Sequence, residues 1–328
     1  MENVGIDVSK AKLDVLWLRD PQRNKIKTRV FRNHAREMPA LIRWLQEKTG
    51  APPQAVRVVL ESTSVYHETV AYALHEAGFV VIVANPKWVH HFAKSEGQTH
   101  KTDKQDSGVL ARYGLEKGDR LSRWQPEPEE IRHLRGLLGR LRALEKDRDR
   151  EQHRLEKALA TTTPARVTAS IRDMITALEA EIRRLKEDID DHIDGHPHLK
   201  RERALLESIP AIGEASSRVL LCSYHSRTFR SARQWAAFVG LVPRHHQSGT
   251  SVDKPSRIGR GSAGLLRKTL YMSGVTAQTY TPEVRALKHR LAARGKAGLS
   301  IVVAAMRKLL HIAYGVLKHQ QEYRPQTT

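Results

Sequence analysis

Between Gly139 and Gly195 the chain has no glycine, and apolar residues recur at Ile171, Ile175, Leu178, Ile182, Leu185 and Ile189 in alternating steps of four and three. That spacing holds one stripe on one side of an α-helix and is the seam of a coiled coil. Leu134, Leu137, Leu141 and Leu144 begin an earlier, less regular seam, and Thr161-Thr162-Thr163-Pro164 separates the two. The two helices fold back on each other as an antiparallel pair, or each pairs with another protomer; the spacing is compatible with both. A helical spacer of this length divides a chain of 328 residues into parts able to bury their own cores. With Trp124-Gln125-Pro126-Glu127-Pro128 read as a linker, the divisions fall at 1–122, 123–200 and 201–328.

The first part alternates. Val4, Ile6 and Val8 fall on one side of a strand with Asp7 on the other, Leu13 to Leu18 gives a second strand and Lys25 to Phe31 a third. A helix over 35–48, a strand over 56–60, a helix over 65–76 and a strand over 79–84 follow, with a last helix beginning near Thr102. A three-stranded meander followed by crossovers predicts a mixed α/β sheet with helices packed against it, and in such sheets sites gather at strand ends.

Lys and Arg number 56 against 36 acids, a formal net charge of +20. Such an excess disfavours a compact state unless a polyanion is the habitual partner, and nucleic acid is the first candidate. No run of about eighteen apolar residues suggests a membrane span, and the N-terminus reads straight into a strand with no signal peptide. The single cysteine, Cys222, excludes an internal disulfide and a cysteine-based zinc site. A cytoplasmic, nucleoid-associated location is expected. Among the seventeen histidines, the adjacent pairs His90-His91 and His245-His246 suit solvated basic surface better than chelation.

Within this basic chain, Lys101-Thr102-Asp103-Lys104-Gln105-Asp106 sets two carboxylates three residues apart. On a helix they share a face and can share a divalent cation, while Lys101 and Lys104 reach phosphates. Taken alone, the short pair reads first as an N-terminal helix cap with a dipole-compensating acid, and only its company points to a metal. More oxygens are needed for a metal, and Asp7 and Glu61 are the nearest upstream candidates. Asp14 and Glu68 are expected to be solvated surface.

Gly5-Ile6-Asp7-Val8-Ser9-Lys10, Leu60-Glu61-Ser62-Thr63, Asn85-Pro86 and Lys101 to Asp106 together resemble the RuvC-like, RNase H-fold domain of the DEDD transposases of the insertion sequence 110 family. The resemblance implies that Asp7, Glu61, Asp103 and Asp106 bind a divalent metal, Mg²⁺ or Mn²⁺.

In the last third, Ser208-Ile209-Pro210-Ala211-Ile212-Gly213-Glu214 reads as the hairpin of a helix-hairpin-helix, with Gly213 permitting the tight turn and free N–H groups of the next helix available to a phosphate; an ordinary helix connection fits equally well. Arg244 to Arg260 has no apolar period and reads as a mobile loop. Helices are expected over 265–280, 282–294 and 299–318, with Arg267 and Lys268 among their cations. Ile209 to Gly213, Phe238-Val239-Gly240-Leu241-Val242-Pro243-Arg244, Ser248-Gly249 and Arg267 to Met272 resemble the second transposase domain of the same family, which implies that Ser248 is its nucleophilic serine. The family pattern differs where this chain has His245-His246-Gln247.

The resemblance thus implies α/β plus α architecture: an RNase H-fold domain, a coiled-coil spacer and a mostly helical transposase domain. Its activity would be insertion-sequence recombination by metal-assisted serine attack on DNA phosphate. The partners would be donor and target DNA, a structured guide RNA, and further copies of the chain in a dimer or tetramer formed through the coiled coil. Lys101, Lys104, Gly213, Arg244, Arg267 and Lys268 are the candidate nucleic-acid contacts. A metal-dependent Holliday-junction-type nuclease would need the acids without Ser248, and a non-catalytic nucleic-acid-binding protein only the charge.

Overall fold

The computed structural model describes residues 1–62, 64–96, 103–248, 252–259 and 264–325, with the side chains of 103–104, 244–248 and 252–257 outside the description. Two compact units are present, Met1–Pro126 and Glu127–Thr328.

The first unit is a three-layer α/β/α structure. Strands β1 (Glu2–Val8), β2 (Lys12–Asp20), β3 (Lys25–Arg32), β4 (Val56–Glu61) and β5 (Val80–Ala84) form one sheet in the order β3-β2-β1-β4-β5. The first three pair antiparallel, while β1–β4 and β4–β5 are parallel. One face carries Val4, Ile6, Val8, Leu13, Val15, Val58 and Leu60, which pack against Leu41, Trp44 and Leu45 of α1 (Met38–Thr49) and Val70, Ala71 and Leu74 of α2 (Glu68–Glu76). On the other face, Val59, Val80 and Ile82 meet Val89 and Phe92 of α3 (Pro86–Ser95) and Val109 and Leu110 of α4 (Asp103–Lys117), and Leu16 and Leu18 meet Ala111. The strands lie where the hydrophobic alternation puts them, and α4 follows the start expected near Thr102; α3 is an additional helix, whose Val89 and Phe92 alone give too short an apolar pattern to read. Edge strand β3 turns Lys25, Arg29 and Arg32 to solvent, a charged edge that resists pairing with another sheet. The segment read as a linker is docked at its start: the Trp124 N–H donates to the Val81 carbonyl at 2.8 Å and its indole packs edge-on against Tyr72 at 5.0 Å.

The second unit begins with α5 (Glu129–Leu159) and α6 (Ala165–Asp194), which pack on each other as an antiparallel hairpin, His192 bonding back to the Glu130 carbonyl at 2.8 Å. Of the two arrangements open to the seams, this intrachain pair is the one observed. Leu134, Leu138, Leu141, Leu144, Ile182, Leu185 and Ile189 are buried near its base, while Ile171, Ile175 and Leu178 are half-buried and Leu159 and Met174 exposed towards its tip. Arg218, itself buried, and Arg203 both bond Asp190, tying α6 to α7 (Pro197–Glu207) and α8 (Glu214–His225).

Helices α9 (Ala232–Val239), α10 (Gly264–Tyr280), α11 (Pro282–Ala293) and α12 (Gly298–His319) complete the unit around buried Trp235. By length and composition α12 alone among the described helices is apolar enough to cross a bilayer, against the expectation of no such segment; Leu309, Leu310, Ala313 and Leu317 are buried in the core instead. Arg244 to Arg260 is also not a plain loop. Strands β6 (Pro243–Ser248) and β7 (Val252–Ile258) pair antiparallel, with a register shift between Arg244 and His246 that sets Pro255 and Ser256 against His245. Backbone pairing needs no apolar side chain, and a proline lacking an N–H is tolerated at such a bulge.

Candidate active site

Strand alternation decides where Asp7 and Glu61 point. Val4, Ile6, Val58 and Leu60 face α1 and α2, so Asn3, Gly5 and Asp7 of β1 and Arg57, Val59 and Glu61 of β4 share the opposite face, the one α4 covers. Parallel pairing matches Ile6 with Leu60, which brings Asp7 and Glu61 to the adjoining C-terminal ends of two neighbouring strands.

The direction of α4 is fixed by two glycines. A β-carbon on Gly114 would meet Val59 at 2.7 Å and Asn3 at 3.4 Å, whereas one on Gly5 would meet Ser107 and Ala111. The helix therefore runs from the C-terminal ends of the strands back to their beginnings, and its first turn, with Asp103 and Asp106, opens at the end of the sheet that carries Asp7 and Glu61. The far end is held by Arg57, buried and donating to the Gly114 carbonyl at 2.8 Å and to Asp119 at 2.9 Å. This anchor was not among the expectations from sequence; an arginine inside a valine-rich strand is the local mark of it, though not of its partners.

A fifth carboxylate joins this face. Asp14 is the antiparallel partner of Asp7, and with a side chain only 15% exposed and 3.1 Å from the Lys12 ammonium it is not the solvated surface acid expected. Like charges directly opposite in a sheet are destabilising, and the Lys12 ammonium beside Asp14 supplies a compensating charge. Carboxylate oxygens are the donors that Mg²⁺ and Mn²⁺ prefer, and the donor set fits such an ion by its chemistry. Among the described residues no three are close enough to hold an ion as they stand. The Asp103 and Lys104 side chains lie outside the described residues, as does Lys101 altogether; Glu68 begins α2, half-buried.

The remaining candidates belong to the second unit. Ser248 ends β6, paired with Val252, next to a hairpin tip outside the described residues; the Ser248 and Arg244 side chains also lie outside them. Arg267 donates to the Val239 carbonyl at 2.9 Å and so caps α9, while Lys268 is exposed on α10. Gly213 does not make the tight turn expected of it: its φ of −111° and ψ of −175° are extended, and Ala211 at φ 79° is the left-handed residue. Buried Ile209 and Ile212 flank that alanine, and the Thr281 hydroxyl donates to the Pro210 carbonyl at 2.9 Å, so packing holds the strained turn. Glu214 already places a negative charge in the first turn of α8, where a phosphate would have to bind.

Comparison with known proteins accounts for both units. A family model described as a transposase, of the DEDD type of IS110, matches residues 4–164, and a second, described as the transposase of the IS116/IS110/IS902 family, matches 203–289. The chain is similar to the pilin gene-inverting protein of Moraxella bovis, 32% identical over 325 residues covering 98% of this chain and 97% of the relative. It is also similar to the pilin gene-inverting protein of Moraxella lacunata, 31% identical over 98% of this chain and 97% of that relative. A probable family 20 transposase of Pseudomonas aeruginosa is 31% identical over 58% of this chain and 59% of its own length. With matched regions in both compact units and end-to-end similarity to two DNA-inverting proteins, the chain belongs to the IS110 family of transposases, enzymes that act on DNA.

Proposed function

We propose that this transposase recombines insertion-sequence DNA with two sets of groups: Asp7, Glu61, Asp103 and Asp106 on an RNase H-like, RuvC-like sheet, and Ser248 as nucleophile. The single observation that carries the reading is the common face of Asp7 and Glu61 at adjacent strand ends, beneath the start of the helix bearing Asp103 and Asp106. The antiparallel meander followed by parallel β4 and β5 supports the RNase H-like assignment. Residues 1–122, 123–200 and 201–328 act in this reading as metal-binding, spacer and serine-bearing segments. A homo-oligomer, dimer or tetramer, is the active form, in the cytoplasm at the nucleoid. A structured guide RNA that pairs with donor and target DNA belongs to the same reading, supported by the +20 charge.

When bound, a divalent Mg²⁺ or Mn²⁺ supplies charge neutralisation at the scissile phosphate and lowers the pKa of an attacking hydroxyl. Asp7, Glu61, Asp103 and Asp106 would hold it through their carboxylate oxygens. Ser248 Oγ forms a bond to phosphorus as the bond to the departing strand oxygen breaks, and the serine proton ends on that oxygen by way of solvent. The phosphodiester count is unchanged, so a hydroxyl of another strand can reverse the attack and release the serine without ATP. Gly249 after Ser248 gives backbone room beside a phosphate, and Arg244 on the same strand supplies positive charge.

The test is to trap a suicide DNA substrate, denature, digest and locate the modified peptide by mass spectrometry. Protein joined to DNA through Ser248, absent in Ser248→Ala and in chelator, is the expected result. Full recombination by Ser248→Ala would end the role of Ser248, and cleavage with no adduct would favour the junction-nuclease reading instead.

A further inference from the structure

Helix α3 starts immediately after β5, whose last residue, Ala84, pairs with Glu61 and accepts from the Ser62 N–H at 3.1 Å. Asn85 caps the helix by accepting from the Lys87 N–H at 2.9 Å, and Pro86 occupies its first position. There is thus no loop between the strand end beside Glu61 and the first turn of α3. The rotation of the helix is fixed as well: Val89 and Phe92 are buried, Phe92 packs edge-on against Tyr113 of α4 at 5.3 Å, and the Lys117 ammonium lies over its ring at 5.5 Å.

With that face inward, Lys87, His91 and Lys94 form one exposed stripe at i, i+4 and i+7, and Trp88 is exposed beside it, three residues before His91. Trp88 is 63% exposed although apolar contacts for a helix of this length are already made by its other side. Its indole has the His91 ring at 6.4 Å, tilted by 57°. Lys87 and Lys94 make no ion pair among the described residues, and the helix carries no acid. A protein partner would call for apolar neighbours around the tryptophan; this exposed side of the helix instead offers one flat aromatic face beside a cationic stripe, the combination that takes a base on the ring and phosphates on the lysines.

We propose that α3 is a base-stacking platform, with the Trp88 indole holding an unpaired base of single-stranded DNA while Lys87 and Lys94 contact the phosphates on either side, next to the strand end that carries Glu61. The location rests on the strand ends being where DNA is processed, as proposed above; the stacking itself does not.

Binding is therefore measured without chemistry. Full-length protein in EDTA would be titrated against a labelled oligo-dT and a duplex of equal length, for the wild type, Trp88→Ala, Trp88→Phe and the double variant Lys87→Gln/Lys94→Gln. Trp88→Ala should weaken oligo-dT binding about tenfold with less than about twofold effect on the duplex, Trp88→Phe should recover most of the loss, and the lysine variant should flatten the salt dependence. Wild-type affinity in Trp88→Ala, equal loss on both DNAs, or no recovery with phenylalanine would overturn the platform. Preference for oligo-U over oligo-dT would overturn the DNA assignment. Because Asp7→Asn loses cleavage but not oligonucleotide binding if the carboxylate reading holds, failure of the platform and failure of that reading are told apart.

Discussion

A β-carbon on Gly5 would stand 1.9 Å from the carbonyl oxygen of Ser107, so helix α4 rests directly on the backbone of the central strand. No side chain separates them, and this contact sets how closely the first turn of the helix approaches Asp7. The obstructing atom is backbone, which cannot swing aside as a flexible side chain would.

Gly5→Ala should therefore lift α4 from the sheet, destabilising the first unit by about 3 kcal/mol and removing DNA cleavage with it. Gly136→Ala, in a long helix with nothing within 4 Å of the added carbon, is the control and should gain up to about 1 kcal/mol. Urea denaturation followed by circular dichroism reads both; equal stability of Gly5→Ala and wild type would remove the close contact from the argument.

Asp7→Asn separates activity from stability. Removing one of two carboxylates that face each other across the β1–β2 ladder relieves like-charge repulsion that the Lys12 ammonium beside Asp14 already offsets in part, so in chelator the variant should stay within about 0.5 kcal/mol of wild type. Cleavage in Mg²⁺ should fall by a factor on the order of a hundred or more. Wild-type cleavage would remove Asp7 from the carboxylate set.

The turn between α7 and α8 inverts the usual expectation for its glycine. Ala211 carries the positive φ, so Ala211→Gly should stabilise the second unit by about 1 kcal/mol. Gly213→Ala should be tolerated, since its φ is negative and an added carbon meets nothing within 4 Å. Thermal melts showing the opposite order would place the left-handed residue at Gly213.

What the sequence disclosed follows from which signals are local. The β1 alternation put Asp7 on the side away from Val4 and Ile6, the valine run of β4 ended at Glu61, and the seam from Ile171 to Ile189 marked α6. Partners distant in sequence were not legible: Asp14 lies opposite Asp7 only because β2 turns back in that register, and Arg57 anchors α4 through residues near 114–119. The β6–β7 hairpin was missed because its pairing is made by backbone, without apolar alternation. Ala211 was missed because its conformation is imposed by the packing of Ile209, Ile212 and Thr281 rather than by its own preference.

Strand β1 precedes the other four strands in the chain and yet lies in the middle of its sheet. Its β2 edge closes once residues 12–20 follow, but the other edge waits for residues 56–61 and its outer face for residues 103–117. A chain emerging from the ribosome thus spends most of the synthesis of this unit with the Asp7 strand unpaired on one side and with Leu16, Leu18 and Val59 bare beneath the place of α4. A product truncated before residue 103 would hold two of the carboxylates but no helix to close over them, and its exposed apolar face would drive it to aggregate.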